Sequence, residues 1–277
     1  MGLKSSLSAF LLKKAEAHHT PVLDVGFVPS LPSRILDADE PHPETTPLAS
    51  SADVEGQTFV ICYVNAKAAQ STRRITMHAL KRTPEARVLL FARCAETREV
   101  MSFRADRIKY CMDITGEVYE PPAMFLVEIF GLGPSDAALL AAESAGRGVT
   151  WPPKDEAFSV LRQQLRNELT LLTAMAESDG QVSLAESAAI LAYAHGRSEL
   201  LGIHLDEART HKLQGFIRRL RPTEQQISAA IDEISARSVK AQMDVVLACS
   251  EVMLADGLAH AEEIELLEKI QADLVQG

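Results

Sequence analysis

An Asp-Gly pair followed by a Glu occurs twice in the sequence, and it predicts a helix-loop-helix that is used two times. The Glu stands seven residues after the Asp in both copies, at Asp179 and Glu186 and again at Asp256 and Glu263. An apolar run with helical spacing precedes each pair, so the Gly is expected to end one helix. Acidic residues beyond the Gly favour the N-terminus of the next helix. The sequence therefore places carboxylates around two similar loops.

Carboxylates gathered at two loops can bind a divalent cation such as Ca²⁺ or Mg²⁺, which takes several oxygen ligands. If the loops meet, Asp179, Glu186, Asp256 and Glu263 supply four carboxylates. The EF-hand spacing is missing, so the sequence does not select the ion. Alternatively, each carboxylate caps a helix terminus, which stabilises the fold by about 0.5–2 kcal/mol. Ser183, three residues before Glu186, predicts a capping box there.

The C-terminal half is predicted to be all-α, because Ala, Leu, Glu and Gln recur at helical spacing from Pro134 onward. Helices are expected over residues 135–145, 155–178, 184–196, 206–220, 223–236, 238–255 and 260–275. With its two acidic signatures, the segment of residues 151–277 resembles the TerB-like family of tellurite-resistance proteins. The resemblance implies an all-helical domain, divalent-cation binding through carboxylates, a stress-response role and attachment to other modules as a scaffold.

Before the helices, four β-branched and aromatic runs are joined by polar turns. They predict strands over residues 58–64, 73–80, 87–94 and 100–104, closed by residues 118–122. Four short strands within about fifty residues favour a small antiparallel barrel or a strongly bent sheet. The fold class is therefore α+β, with a small β-barrel followed by a helical bundle.

Residues 57–121 resemble the WYL domain of bacterial regulators, through Tyr63 in the opening strand, Arg73 in the second and the segment from Phe103 to Ile108. The resemblance implies an SH3/Sm-like barrel that binds an anionic ligand such as a nucleotide or nucleic acid. Arginine forks suit phosphates, and Tyr63 is suited to stacking. The expected ligand-binding residues are Tyr63, Arg73, Arg104 and Arg107.

The sequence departs from the WYL pattern in ways that leave an alternative open. Val88 and Leu89 replace the usual Trp and Tyr, and Met101 replaces a usual Arg. Asp106 could instead pair with Arg104 or Arg107 and brace the barrel. A proline-rich stretch occupies the place of the family's winged helix, so no sequence-specific DNA-binding module is expected.

The N-terminal region is predicted to precede both modules. Residues 1–19 favour a short amphipathic helix, with apolar Leu3, Leu7, Phe10 and Leu11 among lysines, that docks on the body or on a partner. Residues 20–55 have the composition of a Pro-rich linker. The modules are then residues 56–122 for the barrel, 123–150 for a connecting segment with a helix, and 151–277 for the helical domain.

No run of eighteen apolar residues occurs, so a membrane span and membrane contact are not expected. Four cysteines without a CxxC pair indicate buried reduced thiols and a cytoplasmic protein. Residues 56–120 hold eleven basic and seven acidic side chains, whereas residues 151–277 hold twelve basic and twenty acidic ones. This asymmetry suggests different partners for the two modules.

No catalytic motif is recognisable, so we expect a protein that is not an enzyme. The sequence predicts a bacterial sensor or scaffold in a stress-response or defence pathway. Its barrel would take an anionic ligand, its helical domain a divalent cation, and a partner protein would receive the signal. The alternative is a nucleic-acid-associated transcriptional regulator that acts through the basic barrel. A metal-dependent hydrolase is the third hypothesis.

Overall fold

The fold comes from a computed structural model that describes residues 45–141, 153–180 and 182–275. The predicted N-terminal helix and most of the predicted linker lie outside these residues. The described residues form an α+β protein, which confirms the predicted class. They divide into two compact units. We call residues 45–166 with 197–223 the sheet unit, and residues 167–196 with 224–275 the helical unit.

Seven strands and nine helices are assigned within the described residues. The strands are β1 (Thr46–Pro47), β2 (Thr58–Val64), β3 (Gln70–Arg82), β4 (Val88–Cys94), β5 (Val100–Arg104), β6 (Ile108–Met112) and β7 (Val118–Tyr119). The helices are α1 (Ser51–Val54), α2 (Pro122–Phe130), α3 (Pro134–Ala141), α4 (Glu156–Glu177), α5 (Leu184–Leu200), α6 (Glu207–Arg219), α7 (Glu224–Ser235), α8 (Val239–Met253) and α9 (Ala261–Val275).

The sheet is antiparallel and open, so the expectation of a closed SH3/Sm-like barrel is wrong for the described residues. Its strand order is β5-β4-β3-β2-β6-β7, with β1 added along β3. The thirteen-residue β3 bends at a bulge between Met77 and Ala79, pairing first with β2 and then with β4. The end strands β5 and β7 have five and two residues. These two end strands do not pair with each other, so the sheet does not close.

Aromatic side chains hold α2 against the sheet. Phe59 of β2 packs edge-on against Phe125 of α2 at 5.3 Å and lies 6.2 Å from the Phe130 ring. The chain before β2 joins this core, because Val54 of α1 is fully buried. Residues 45–55, at the end of the predicted linker, thus contain a short strand and a helical turn.

A buried arginine connects four elements of the sheet unit. Arg162 of α4 is 2% exposed, and its Nη2 lies 2.7 Å from Asp53 Oδ1 of α1. Its Nη1 donates to the carbonyl oxygen of Ile129 at the end of α2, at 3.1 Å. The guanidinium also lies over the rings of Phe158 and Phe216, at 4.8 and 5.4 Å.

The helical unit has an apolar core with one buried ion pair at its edge. Leu172, Cys249 and Ile270 of α4, α8 and α9 are fully buried. Glu168 is 1% exposed, and one of its carboxylate oxygens accepts a hydrogen bond from Arg237 at 2.6 Å.

Among the described residues, no helix is both long and apolar enough to cross a membrane. All four cysteines are free and buried, as expected.

Candidate metal centre

Both acidic loops turn at their Gly in the same way. In the first, the Gly180 amide donates to the Glu177 carbonyl at 2.8 Å, and Gly180 has a φ of 87°. In the second, the Gly257 amide donates to the Leu254 carbonyl at 3.2 Å, and Gly257 has a φ of 85°. The first loop joins α4 to α5 and the second joins α8 to α9. The predicted repetition of a helix-loop-helix is therefore confirmed.

Each loop ends with a Glu that reaches back to cap its helix. Glu186 accepts from the Ser183 amide at 2.6 Å, and the Ser183 hydroxyl oxygen accepts from the Glu186 amide at 3.1 Å. The predicted capping box is confirmed. In the second loop, Glu263 accepts from the His260 amide at 2.8 Å. Both glutamates are thus held in place by the backbone at a helix N-terminus.

The two glutamates are buried beside other acids. Glu186 is 4% exposed and Glu263 is 2% exposed. Burial raises the pKa of Glu186, and the charges of Asp256 and Asp179 raise it further. Burial also raises the pKa of Glu263 to about 7, with the charges of Glu186 and Asp179 adding to the effect. The hydrogen bond from the His260 amide and the nearby His260 imidazole lower the pKa of Glu263, but by less than burial and the neighbouring acids raise it.

The electrostatic effects cross from one loop to the other. The charge of Asp256 in the second loop raises the pKa of Glu186 in the first loop. The charge of Asp179 in the first loop raises the pKa of Glu263 in the second. In addition, His260 Nε2 lies 3.6 Å from Asp179 Oδ2. Each of the four predicted ligands therefore lies within electrostatic range of at least one ligand from the other loop.

The four carboxylates are not equally fixed. Asp179 has a side chain 21% exposed, and Asp256 is exposed. Asp256 Oδ1 accepts from the Leu258 amide at 2.9 Å. In residues 45–141, 153–180 and 182–275, no three acidic, histidine or cysteine side chains converge closely enough to hold an ion as they stand. The donors are nevertheless all carboxyl oxygens, the type of ligand that hard divalent cations take.

Glycine at the two loop positions is expected to be needed for backbone geometry. Gly180→Ala and Gly257→Ala should each lower the free energy of unfolding by about 1–2 kcal/mol, because an L-residue is strained at positive φ. An added Cβ meets no atom within 4 Å at either position.

The matched control for these two changes is Gly196→Ala in α5, where an added Cβ also meets nothing within 4 Å. Alanine is the better helix former, so this variant should gain up to about 1 kcal/mol. Urea unfolding measures all three changes. Equal effects at the three positions would contradict a role for loop geometry.

Tyr63 and Arg104, predicted to bind an anion on the sheet, contact other parts of the protein. Tyr63 is 5% exposed, and its ring packs edge-on against Phe103 at 5.2 Å. A base could stack on it only after local rearrangement. Arg104 forms a bidentate ion pair with Asp106, in which its Nε and Nη2 each donate to one carboxylate oxygen. Arg107 is partly exposed in the 3₁₀ turn of residues 105–107.

Arg73, the fourth predicted anion ligand, is also largely buried. It is 6% exposed, and its guanidinium donates to the Ser71 hydroxyl at 3.3 Å and to Cys94 Sγ at 3.4 Å. Its charged head is thus directed into the sheet unit. The anionic ligand of the sheet stays a prediction.

Sequence reasoning missed two features of the helical unit. The first is the Glu263 cap at His260, which stands seventy-seven residues after Ser183 and so occupies the equivalent place in the repeat. Superposing the two copies by that offset would have found it. The second is the buried Glu168, which lies between Leu165 and Leu172 on the apolar face of α4. A charged residue at an apolar helix position indicates a buried partner.

Comparison with protein families gives a match in the helical part of the chain. Residues 166–275 match the family described as tellurite resistance protein TerB. This match, over less than half of the chain, confirms the expected TerB likeness of the helical part. The expected WYL likeness of residues 57–121 finds no support in the comparison. No significant match is found among curated proteins or solved structures.

Proposed function

We propose that the two acidic loops together bind one divalent cation, Ca²⁺ or Mg²⁺, through Asp179, Glu186, Asp256 and Glu263. The observation that carries the proposal is the pair of buried glutamates, whose pKa values are raised by burial and by the other acids of the cluster. A cation bound between the carboxylates would offset the repulsion among their negative charges. The preference of Ca²⁺ and Mg²⁺ for oxygen ligands suits the four carboxylates, all of which lie within the residues that match the TerB family.

The ligands would have different roles. Glu186 and Glu263 are positioned in advance, because each is bound to a backbone amide at the start of α5 or α9. Asp179 and Asp256 are more accessible and would turn toward the ion. The bound ion supplies positive charge, and ligands from both loops would join the two helix-loop-helices.

The biological role that fits such a site is cation-linked signalling. A ligand that binds one arrangement of a protein stabilises that arrangement. We infer a non-enzymatic sensor or scaffold in tellurite resistance or a related stress response, in which the cation-bound helical unit is recognised by a partner protein. The two arginines Arg73 and Arg104 already have partners in the sheet unit, so no observation favours the nucleic-acid alternative.

Calorimetric titration of Ca²⁺, Mg²⁺, Mn²⁺ and Zn²⁺ into metal-stripped protein tests the proposal. We expect saturable binding that is lost in Asp179→Asn/Asp256→Asn. The control is Asp232→Asn/Asp273→Asn, which removes the same charge from exposed positions of α7 and α9 and should bind as the parent does. At a hundredfold excess over Kd, the ion should stabilise the fold by about 2.7 kcal/mol.

The opposite result is equally specific. If millimolar concentrations of all four metals give neither heat nor a change in melting temperature, the carboxylates act as helix caps alone. Loss of binding in both double variants would indicate a general effect of negative charge. Either result would overturn the proposed site.

A further inference from the structure

A cavity in the sheet unit has aromatic walls and two buried arginines. Its volume is about 110 Å³. Three phenylalanines line it, one from each of α2, α4 and α6, namely Phe125, Phe158 and Phe216. Arg162 and Arg219 line the same cavity, and they are 2% and 7% exposed. The cavity therefore combines apolar surface with buried positive charge.

The guanidinium of Arg219 has a donor that no other group uses. Its Nε donates to Gln57 Oε1 at 3.1 Å, and its Nη1 donates to Asp113 Oδ2 at 3.3 Å. In the part of the chain that the structure describes, Nη2 has no hydrogen-bond partner. Buried polar groups are normally hydrogen-bonded, and a guanidinium has five N–H donors to satisfy. Nη2 is thus available to an acceptor in the cavity.

A glycine inside α6 keeps the space beside this donor open. Gly215 also lines the cavity, and a Cβ added there would lie 3.0 Å from Arg219 Nη1 and 3.4 Å from its Nη2. Gly is a poor helix former, and Gly215 does not have the positive φ that would require it. The absence of a side chain at residue 215 therefore leaves room at the donor end of the guanidinium.

The buried charges around the cavity favour an anionic acceptor. Burial lowers the pKa of Arg162 and of Arg219, and the charge of Arg219 lowers the pKa of Arg162 as well. Asp53 opposes this effect at Arg162 and Asp113 opposes it at Arg219, so each arginine has one buried acid. A bound anion would offset the repulsion between the two guanidiniums. The other charged side chains of the lining are balanced, with two acids and two cations beside one histidine: Glu117, Glu128, Lys212, Arg218 and His211.

We propose that this cavity binds a small monocarboxylate, whose oxygen accepts from Arg219 Nη2 while its short apolar chain packs against the phenylalanine rings. A carboxylate forms a stronger hydrogen bond with a guanidinium than a neutral acceptor does. The volume is somewhat below the roughly 150 Å³ of a cavity that holds benzene, which suits a ligand of about two to four carbons. The site lies in the sheet unit and needs no metal, so its success or failure is independent of the metal proposal.

Calorimetric titration of propionate into the full chain tests the site, with propionamide as a neutral ligand of the same shape. We expect saturable binding of propionate and about tenfold weaker binding of propionamide. Melting temperatures in the presence of each ligand should follow the same order. This comparison uses the unaltered protein, so it does not depend on whether a variant folds.

Two substitutions should change propionate binding in opposite directions. Gly215→Ala places a methyl group against the guanidinium and should weaken binding about tenfold. Its control is Gly196→Ala in α5, where an added Cβ meets nothing within 4 Å and binding should not change. Asp113→Asn removes the carboxylate that competes for Arg219, while the amide oxygen can still accept from the Ile114 amide. This variant should bind propionate about tenfold more tightly.

Four results would overturn the proposal. The first is an absence of saturable binding at millimolar propionate, and the second is equal binding of propionate and propionamide. The third is tighter binding of inorganic phosphate than of propionate, which would assign the cavity to a different anion. The fourth is a Gly215→Ala protein that has the circular dichroism spectrum of the parent and binds propionate equally well.

Discussion

Arg162→Ala should lower the free energy of unfolding of the sheet unit by about 3–5 kcal/mol, the largest effect that we expect from a single substitution in this protein. The change leaves the Asp53 carboxylate, 2% exposed, without the charge that compensates it. It also removes the donor to the Ile129 carbonyl and the cation above the rings of Phe158 and Phe216. Urea denaturation followed by far-UV circular dichroism measures the loss.

The physical reason is the asymmetry of buried ion pairs. Burial lowers the pKa of Arg162, and the nearby Asp53 charge opposes this effect, so the charged guanidinium depends on its partner. Removing one member leaves an uncompensated charge, whereas replacing both with neutral groups of similar volume is often tolerated. Arg162→Met/Asp53→Asn should therefore be more stable than Arg162→Ala.

The matched control is Arg87→Ala, which removes an arginine from an exposed turn. Its effect should stay within about 0.5 kcal/mol. If Arg162→Ala were no more destabilising than Arg87→Ala, the buried pair would not be a major source of stability. If the double variant were the least stable of the three, the desolvation argument would be wrong.

Helices were predictable from the sequence because their signals are local. The start of α5 follows from the Ser183 and Glu186 capping box, and the predicted and observed first residue are both 184. Its end was predicted at residue 196, which is a glycine. The helix instead continues to Leu200 and is followed by Gly202, with a φ of 68°. The choice between two glycines depends on the contacts of the last turn, which spacing alone does not reveal.

Contacts between distant residues were not predictable in the same way. Asp53 lies in a proline-rich stretch whose composition indicates a linker, yet its partner Arg162 is more than one hundred residues away. The prediction of a closed barrel was wrong for a similar reason, since closure requires pairing between the two end strands, β5 and β7, which are not neighbours in the sheet. The cluster of four carboxylates was easier to predict from the sequence, because the internal repeat predicts two equivalent loops. In the structure, carboxylates from the two loops lie within electrostatic range of each other.

Metal-free protein should lose stability as the pH rises from about 4.5 to 7. Burial beside Glu186 and Asp179 raises the pKa of Glu263 from 4.5 to about 7 in the folded state, so the folded protein holds this proton more tightly than the unfolded chain does. Stability is highest below pH 4.5, where Glu263 is protonated in both states, and it falls until the folded carboxyl has ionised. The loss above pH 7 should be about 1–3 kcal/mol from this group.

Glu263→Gln tests this assignment, because the amide stays neutral at every pH and its oxygen can still accept from the His260 amide. At pH 8 the variant should be about 1–3 kcal/mol more stable than the metal-free parent, whereas at pH 4 the two should be nearly equal. Glu262→Gln, at the exposed neighbouring position, should follow the parent at both pH values. Urea unfolding at a series of pH values gives the comparison. A Glu263→Gln protein with the same pH dependence as the parent would show that the Glu263 carboxyl is not the group that titrates. The charge repulsion that a bound cation would offset would then have to come from another of the four carboxylates.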